Sequence, residues 1–240
     1  HNEVSSDNRL PYDPSVLNTH CDLGNLIKGV KKTGSARLCL YGPPGTGKTA
    51  FAHYLADQLD RMLLVRRASD ILGSYVGQTE RNIAAAFEQA RDENAVLLID
   101  EADSFLRDRG GAQRSWEVTG VNEMLTNMES FQGIFIASTN LLDQMDAASL
   151  RRFDGKILFD FLKPIQALTL FRKACEHAGL KSDDQAEQKI LGLGILTPGD
   201  FAAVLRQSRL VSFETASEFA EKLKQECALK PQGKQNKIGF

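Results

Sequence analysis

The stretch "CLYGPPGTGKTAFAHYLADQ", Cys39 to Gln58, sets a glycine-rich loop between an apolar run and a helical pattern. Gly42 to Thr49 fits G-x-x-x-x-G-K-[ST], and it sits where that motif carries meaning, after a strand and opening a helix. Glycines let successive backbone N–H groups converge on phosphate oxygens, and the helix N-terminus behind them adds partial positive charge. The pattern assigns Gly42, Pro43, Pro44, Gly45, Thr46 and Gly47 to the cradle of a nucleotide, with Lys48, Thr49 and Ala50 opening the helix. Lys48 is expected to reach the β- and γ-phosphates and the Thr49 hydroxyl to ligate Mg2+, so ATP and Mg2+ are the expected ligands. A glycine-rich turn without ligand is the alternative.

Working outward, short apolar runs alternate with helical patterns. Strands are expected at Arg37–Tyr41, Met62–Val65, Ala95–Ile99, Ile134–Ser138 and Lys156–Phe159. Helices are expected at Thr49–Leu59, Glu80–Arg91 and Glu117–Met128, where apolar residues recur three and four apart. "AVLLI" (Ala95–Ile99) is apolar on both faces, as a central strand of a covered parallel sheet requires. The alternation predicts an α/β fold, a doubly wound parallel sheet of five strands in the manner of P-loop nucleotide hydrolases. After Pro164 only helical patterns follow, at about 166–177, 183–192, 199–211 and 215–228. "TPGD" reads as a helix start, with Thr197 as N-cap, Pro198 in the first turn and Asp200 at the positive end of the dipole. The expected organisation is an N-terminal extension (1–20), a large α/β nucleotide-binding domain (21–163), a small all-helical domain (164–229) and a frayed polar tail (230–240).

"AVLLIDEAD" delivers Asp100 and Glu101 to the carboxyl end of a central strand, where ligands bind in open α/β sheets. Asp100 is placed to hold Mg2+ through water, and Glu101 to orient and activate the attacking water.

The 240 residues are 42% hydrophobic and 25% charged, with a formal net charge of −2. That is a globular composition, without an overall charge that favours DNA or an acidic membrane. The apolar run Ala95–Ile99 falls far short of a membrane span, and the polar start "HNEVSSDNRLPYDPS" lacks the apolar core of a signal peptide. A first residue of His points to a processed piece of a chain with a further N-terminal region. Cys21, Cys39, Cys175 and Cys227 form no CxxC pair and read as reduced thiols, and no HExxH is present. A cytoplasmic location is expected.

"GPPGTGKT" and "LLIDEAD" resemble the Walker A and Walker B motifs of AAA+ ATPases, and the resemblance runs from about residue 20 to 229. It implies ATP hydrolysis by a homo-oligomeric ring, usually of six subunits and formed in some cases only with ATP. "IFIASTN" resembles the strand that ends in the polar sensor residue, here Asn140. "DAASLRRFDGKILF" resembles the segment that carries arginine fingers, matching Arg151 and Arg152 in the spastin and katanin arrangement. Such an arginine, supplied by a neighbouring subunit, stabilises charge on the transferring phosphoryl group. A surface salt bridge is the alternative for either. "TPGDFAAVLRQS" resembles the lid segment that places Gly199 near the adenine.

ATPase chemistry alone leaves the task open. "ASDILGSYVGQTERNI" matches Tyr75, Val76 and Gly77 to the aromatic–aliphatic–glycine pore loop that grips an extended polypeptide in the ring's centre. A flat aromatic grips any side chain by apolar contact, and Gly77 lets the loop bend. Tyr75 packed on its own domain is the alternative. "LRDRGGAQRS" (Leu106–Ser115) reads equally as a second pore loop, a phosphate-binding loop or a solvated loop. The reading favoured is remodelling, unfolding or threading of a polypeptide substrate or adaptor. The runner-up is a nucleic-acid-linked motor or loader, disfavoured by the pore triplet and the net charge.

Overall fold

The computed structural model describes residues 10–73, 75, 77–103, 115–141, 145 and 147–231, with the backbone alone at 115–118 and 147. Val76 and most of the arginine-rich loop, 106–114, lie outside the described residues. Strands β1 (Asn18–Thr19), β2 (Ala36–Tyr41), β3 (Leu63–Arg67), β4 (Val96–Asp100), β5 (Ile134–Thr139) and β6 (Gly155–Asp160) form one sheet in the order β1-β6-β2-β5-β4-β3. The pairs β2–β5, β2–β6, β3–β4 and β4–β5 are all parallel. The doubly wound expectation holds, and β1 adds a two-residue edge strand to the five read from the sequence. Two residues carry no period from which a strand could be recognised.

β5 is buried along its whole length and β4 up to Ile99, which explains their unbroken apolar runs. Register is what positions the site. Tyr41 lies beside Thr139, and Ile99 beside Ala137. The carboxyl ends of β2, β4 and β5 therefore finish together, with Asp100 next to Ser138.

By contact the chain divides into two compact units: Thr19–Pro43 with Lys48–Phe159, and, among the described residues, 10–18, 44–47 and 160–231. In the first, helices α1 (Leu23–Thr33), α2 (Lys48–Gln58), α3 (Ala68–Ile71), α4 (Gln78–Asp92), α5 (Ser115–Ser130) and α6 (Ala147–Leu150) accompany the sheet. α4 buries Ile83, Ala86, Phe87 and Ala90, and Phe87 meets Phe131 and Phe135 with centroids 5.4 and 5.2 Å away. α1 has no counterpart in the sequence reading, which passed over an apolar stripe at helical spacing: Leu23 and Val30 are buried, and Leu26 and Ile27 half-buried, on one face. Its ends were nonetheless written out: Asp22 accepts from the Asn25 N–H at 3.0 Å, and Gly34 closes the helix at φ 72°.

The second unit packs α7 (Pro164–His177), α8 (Asp184–Leu191), α9 (Pro198–Gln207) and α10 (Ala216–Leu229). Phe219 is its hub: Phe171 and Phe213 stack on it at 5.4 and 4.8 Å, and Phe201 meets it edge-on at 6.3 Å. Lys230, where the polar tail begins, is tied down rather than frayed. Its ammonium donates to Ile195 O at 2.7 Å and to Asp200 Oδ2 at 2.6 Å. No described helix is long and apolar enough to cross a membrane.

Phe219 is fully buried, so Phe219→Ala removes the hub and leaves a cavity, with an expected loss of about 3–5 kcal/mol. Urea unfolding of the helical unit, followed by amide exchange in α7 and α10, measures it.

Candidate active site

The loop after β2 turns on glycines in conformations that side chains avoid: φ is 132° at Gly42, 79° at Gly45 and 101° at Gly47. A Cβ on Gly42 would lie 1.9 Å from the Phe159 carbonyl oxygen. Pro44 and Gly45 form an exposed tip, Pro43 is half-buried, Thr46 is buried, and Ala50 is exposed on the first turn of α2.

Lys48, the first residue of α2, is 7% exposed. Its ammonium donates to Gly42 O at 2.7 Å, Pro43 O at 2.9 Å and Asn140 Oδ1 at 2.8 Å. A desolvated ammonium needs such oxygens. Burial pushes the Lys48 pKa down from 10.5 to about 8, against the nearby carboxylates of Asp100 and Asp103. Asn140 thus meets the phosphate loop through Lys48.

One residue on, the Thr49 hydroxyl donates to Asp100 Oδ2 at 3.1 Å. Asp100 Oδ1 accepts from the Ser138 hydroxyl and from the Glu101 N–H at 3.1 Å. Glu101 itself is exposed, sits in the left-handed region at φ 59°, and its carboxylate pairs with no described residue. A hydroxyl against a carboxylate is a hard-oxygen pair suited to Mg2+, which takes one or two carboxylates and keeps several waters. The positive-φ glycines, the oxygen-caged lysine and this pair together fit a nucleoside triphosphate with its metal. Among the described residues no cluster of three His, Cys, Asp or Glu forms a separate metal centre.

On the helical side, the Gly199 N–H donates to Gly45 O at 2.8 Å. A Cβ on Gly199 would lie 2.9 Å from Gly45 Cα, so only glycine fits. Gly199 therefore lies against the phosphate loop itself.

Residues 38–161, just over half the chain, match the sequence model of the family described as "ATPase family associated with various cellular activities (AAA)". The chain belongs to the AAA ATPase family. ATP hydrolysis is accordingly its chemistry. The chain is similar to Protein mac-1 of Caenorhabditis elegans, 30% identical over 189 residues that cover 74% of this chain and 23% of that one. It is 38% identical over 135 residues to an uncharacterized AAA family ATPase of Sinorhizobium fredii, covering 55% and 40%. It is 33% identical over 176 residues to a proteasome-associated ATPase of Nocardia farcinica, covering 62% and 30%. The chain thus spans between 23% and 40% of the length of these relatives.

The other residues marked in this AAA chain stand apart from the lysine cage. Arg152 forms an ion pair with Glu129 at the end of α5 and donates to Ala148 O at 3.1 Å. Arg151 is exposed and pairs with no described residue. Just beyond, Asp154 is clamped to Arg37, whose Nε and Nη2 donate to its two oxygens at 3.1 and 2.9 Å. The Arg37 guanidinium holds the Asp154 carboxyl below its ordinary pKa. Tyr75 is 80% exposed, and Gly77, at φ 80°, precedes α4.

Two residues the sequence reading passed over complete the cluster. Ser138 anchors Asp100, and Asp103 accepts from the Thr139 hydroxyl at 3.1 Å. Their signal was present: Ser138 and Thr139 are the polar end of an otherwise apolar central strand, and buried hydroxyls need partners.

The depressed Lys48 pKa has a measurable sign. Between about pH 8 and 10.5 the unfolded chain still holds a proton that the folded chain has released, so stability rises with pH there. Nucleotide-free protein should gain on the order of 2 kcal/mol over this window relative to Lys48→Met, read as the difference between their urea midpoints.

Proposed function

We propose that this chain is the motor module of a ring-forming AAA protein that remodels, unfolds or threads a polypeptide through a central pore. Tyr75 carries this reading: a large aromatic left 80% exposed between Gly73 and Gly77, in the segment that joins α3 to α4. An exposed aromatic flanked by glycines offers sequence-tolerant apolar grip on a strand that can move. The similarity to chains named proteasome-associated ATPases supports a protein substrate. The paired arginines support a kinship with the spastin and katanin branch and a ring of identical subunits, six in the usual case; a cytoplasmic location is proposed beside them.

In the proposed chemistry, backbone N–H groups of Gly42–Gly47 and the Lys48 ammonium hold the triphosphate, and Lys48 exchanges its carbonyl oxygens for phosphate oxygens. Thr49 and Asp100 hold Mg2+, which supplies charge neutralisation for phosphoryl transfer. Asp100 accepts three donors, which fix its orientation and leave it acceptor capacity towards the metal's shell. Glu101, exposed and with no described partner for its carboxylate, orients and deprotonates the attacking water, and Asn140 lies beside Lys48 to orient the same group. Gly199 supports the loop next to the nucleotide. Arg152, and secondarily Arg151, reaches a neighbour's nucleotide, for which Arg152 must leave Glu129.

Glu101→Gln should retain ATP binding while turnover falls about 100-fold or more; unchanged turnover would remove Glu101 from the base role. With an unfolded protein such as casein as probe, Tyr75→Ala should collapse the ratio of stimulated to basal turnover to unity. Stimulation by DNA that ignores Tyr75 would establish a nucleic-acid motor instead.

A further inference from the structure

The start of α9 is held by a buried charge pair that the proposed chemistry does not use. Asp200 is 7% exposed, and one of its oxygens, Oδ2, takes three donors. The Thr197 N–H donates at 2.7 Å, the Thr197 hydroxyl at 2.9 Å and the Lys230 ammonium at 2.6 Å. Lys230 arrives from the far end of the unit, just past α10, and also donates to Ile195 O at 2.7 Å. Its ammonium lies 5.5 Å from the centroid of the Phe161 ring.

This pair sits one residue from the phosphate loop. Thr197 and Gly199 flank Gly45: a Cβ on Gly45 would lie 2.9 Å from the Thr197 hydroxyl, and the Gly199 N–H donates to Gly45 O at 2.8 Å. Contacts this close leave no slack, so a displacement of the α9 start is passed to the loop. All of these residues belong to one compact unit. We propose that Lys230 is a positioning residue for ATP binding: its ammonium, through Asp200 and Thr197, holds the α9 start that fixes Gly45 in the phosphate loop. Removing the ammonium leaves a buried carboxylate with neutral donors alone, a state that the unit relieves by moving Asp200 towards water. The α9 start moves with it. The inference assigns a role to the segment after α10 in ATP binding by this chain; it rests on the loop Gly42–Thr49 as the ATP site and not on the pore loop.

The test uses the full chain. Lys230→Met keeps an apolar stem over Phe161 and removes the charge. Below the melting transition it should raise KM for ATP about five- to tenfold with kcat changed less than about twofold, and Lys230→Arg should restore KM. Amide exchange across residues 197–201 should accelerate in Lys230→Met and not in Lys230→Arg. The cycle with Asp200→Asn supplies a second arm: once Asp200 is neutral, Lys230→Met should add no further change in KM. A lowered Tm with unchanged KM, a kcat loss at constant KM, or fully additive effects in the cycle would each overturn the proposal and leave Lys230 as a stabilising residue only.

Discussion

A single buried ammonium organises the centre of this molecule. Lys48 stands at the first position of α2 with little water around it, and it satisfies its charge on Gly42 O, Pro43 O and Asn140 Oδ1. Two of those oxygens belong to the loop that precedes it and one to the end of a strand that enters 92 residues later. The requirement that a desolvated cation be surrounded by oxygen thus bends the loop and ties it to β5 in the same stroke. That is possible only because the parallel register brings the ends of β2 and β5 side by side, Tyr41 next to Thr139. A slip of one residue along β5 would replace Asn140 beside Lys48 and swap the faces of the sheet on which the buried β5 side chains pack.

Around that cage the two acidic residues after β4 are treated in opposite ways. Asp100 is held by Thr49, Ser138 and the Glu101 N–H, so its orientation is fixed. Glu101 pairs with no described residue, on a backbone at φ 59° that a side chain adopts only under constraint from its surroundings. One carboxylate held by donors beside one without a described partner is the division that metal holding and proton transfer require of adjacent groups. Arg152 shows a different economy. Its guanidinium is satisfied inside its own chain by Glu129, so any contact with a neighbouring subunit competes against an existing ion pair of modest, exposed strength.

Much of this was legible in the residues, and the exceptions have physical causes. β4 and β5 announce themselves because both faces are buried, and α4 because Ile83, Phe87 and Ala90 form a stripe. The phosphate loop is legible because its glycines are needed for backbone reasons that hold in any chain. α1 was legible too, since Leu23, Leu26, Ile27 and Val30 recur at helical spacing, and the reading passed it over. Ser138 and Lys230 were hidden for a physical reason. Their partners, Asp100 and Asp200, lie 38 and 30 residues away, and side-chain pairing at that separation is decided by the fold. Glu129 meeting Arg152 belongs to the same class, whereas the capping role of Thr197 and Asp200 is local and could be read directly.

The central claim is that the Lys48 cage is the ATP site in waiting. Titration calorimetry of the Mg2+ salt of a non-hydrolysable ATP analogue into the wild-type chain and into Lys48→Met tests it most directly. Losing a charge-assisted contact to phosphate should weaken binding about tenfold or more in the variant. Equal affinity of the two proteins would place the nucleotide elsewhere and contradict the account.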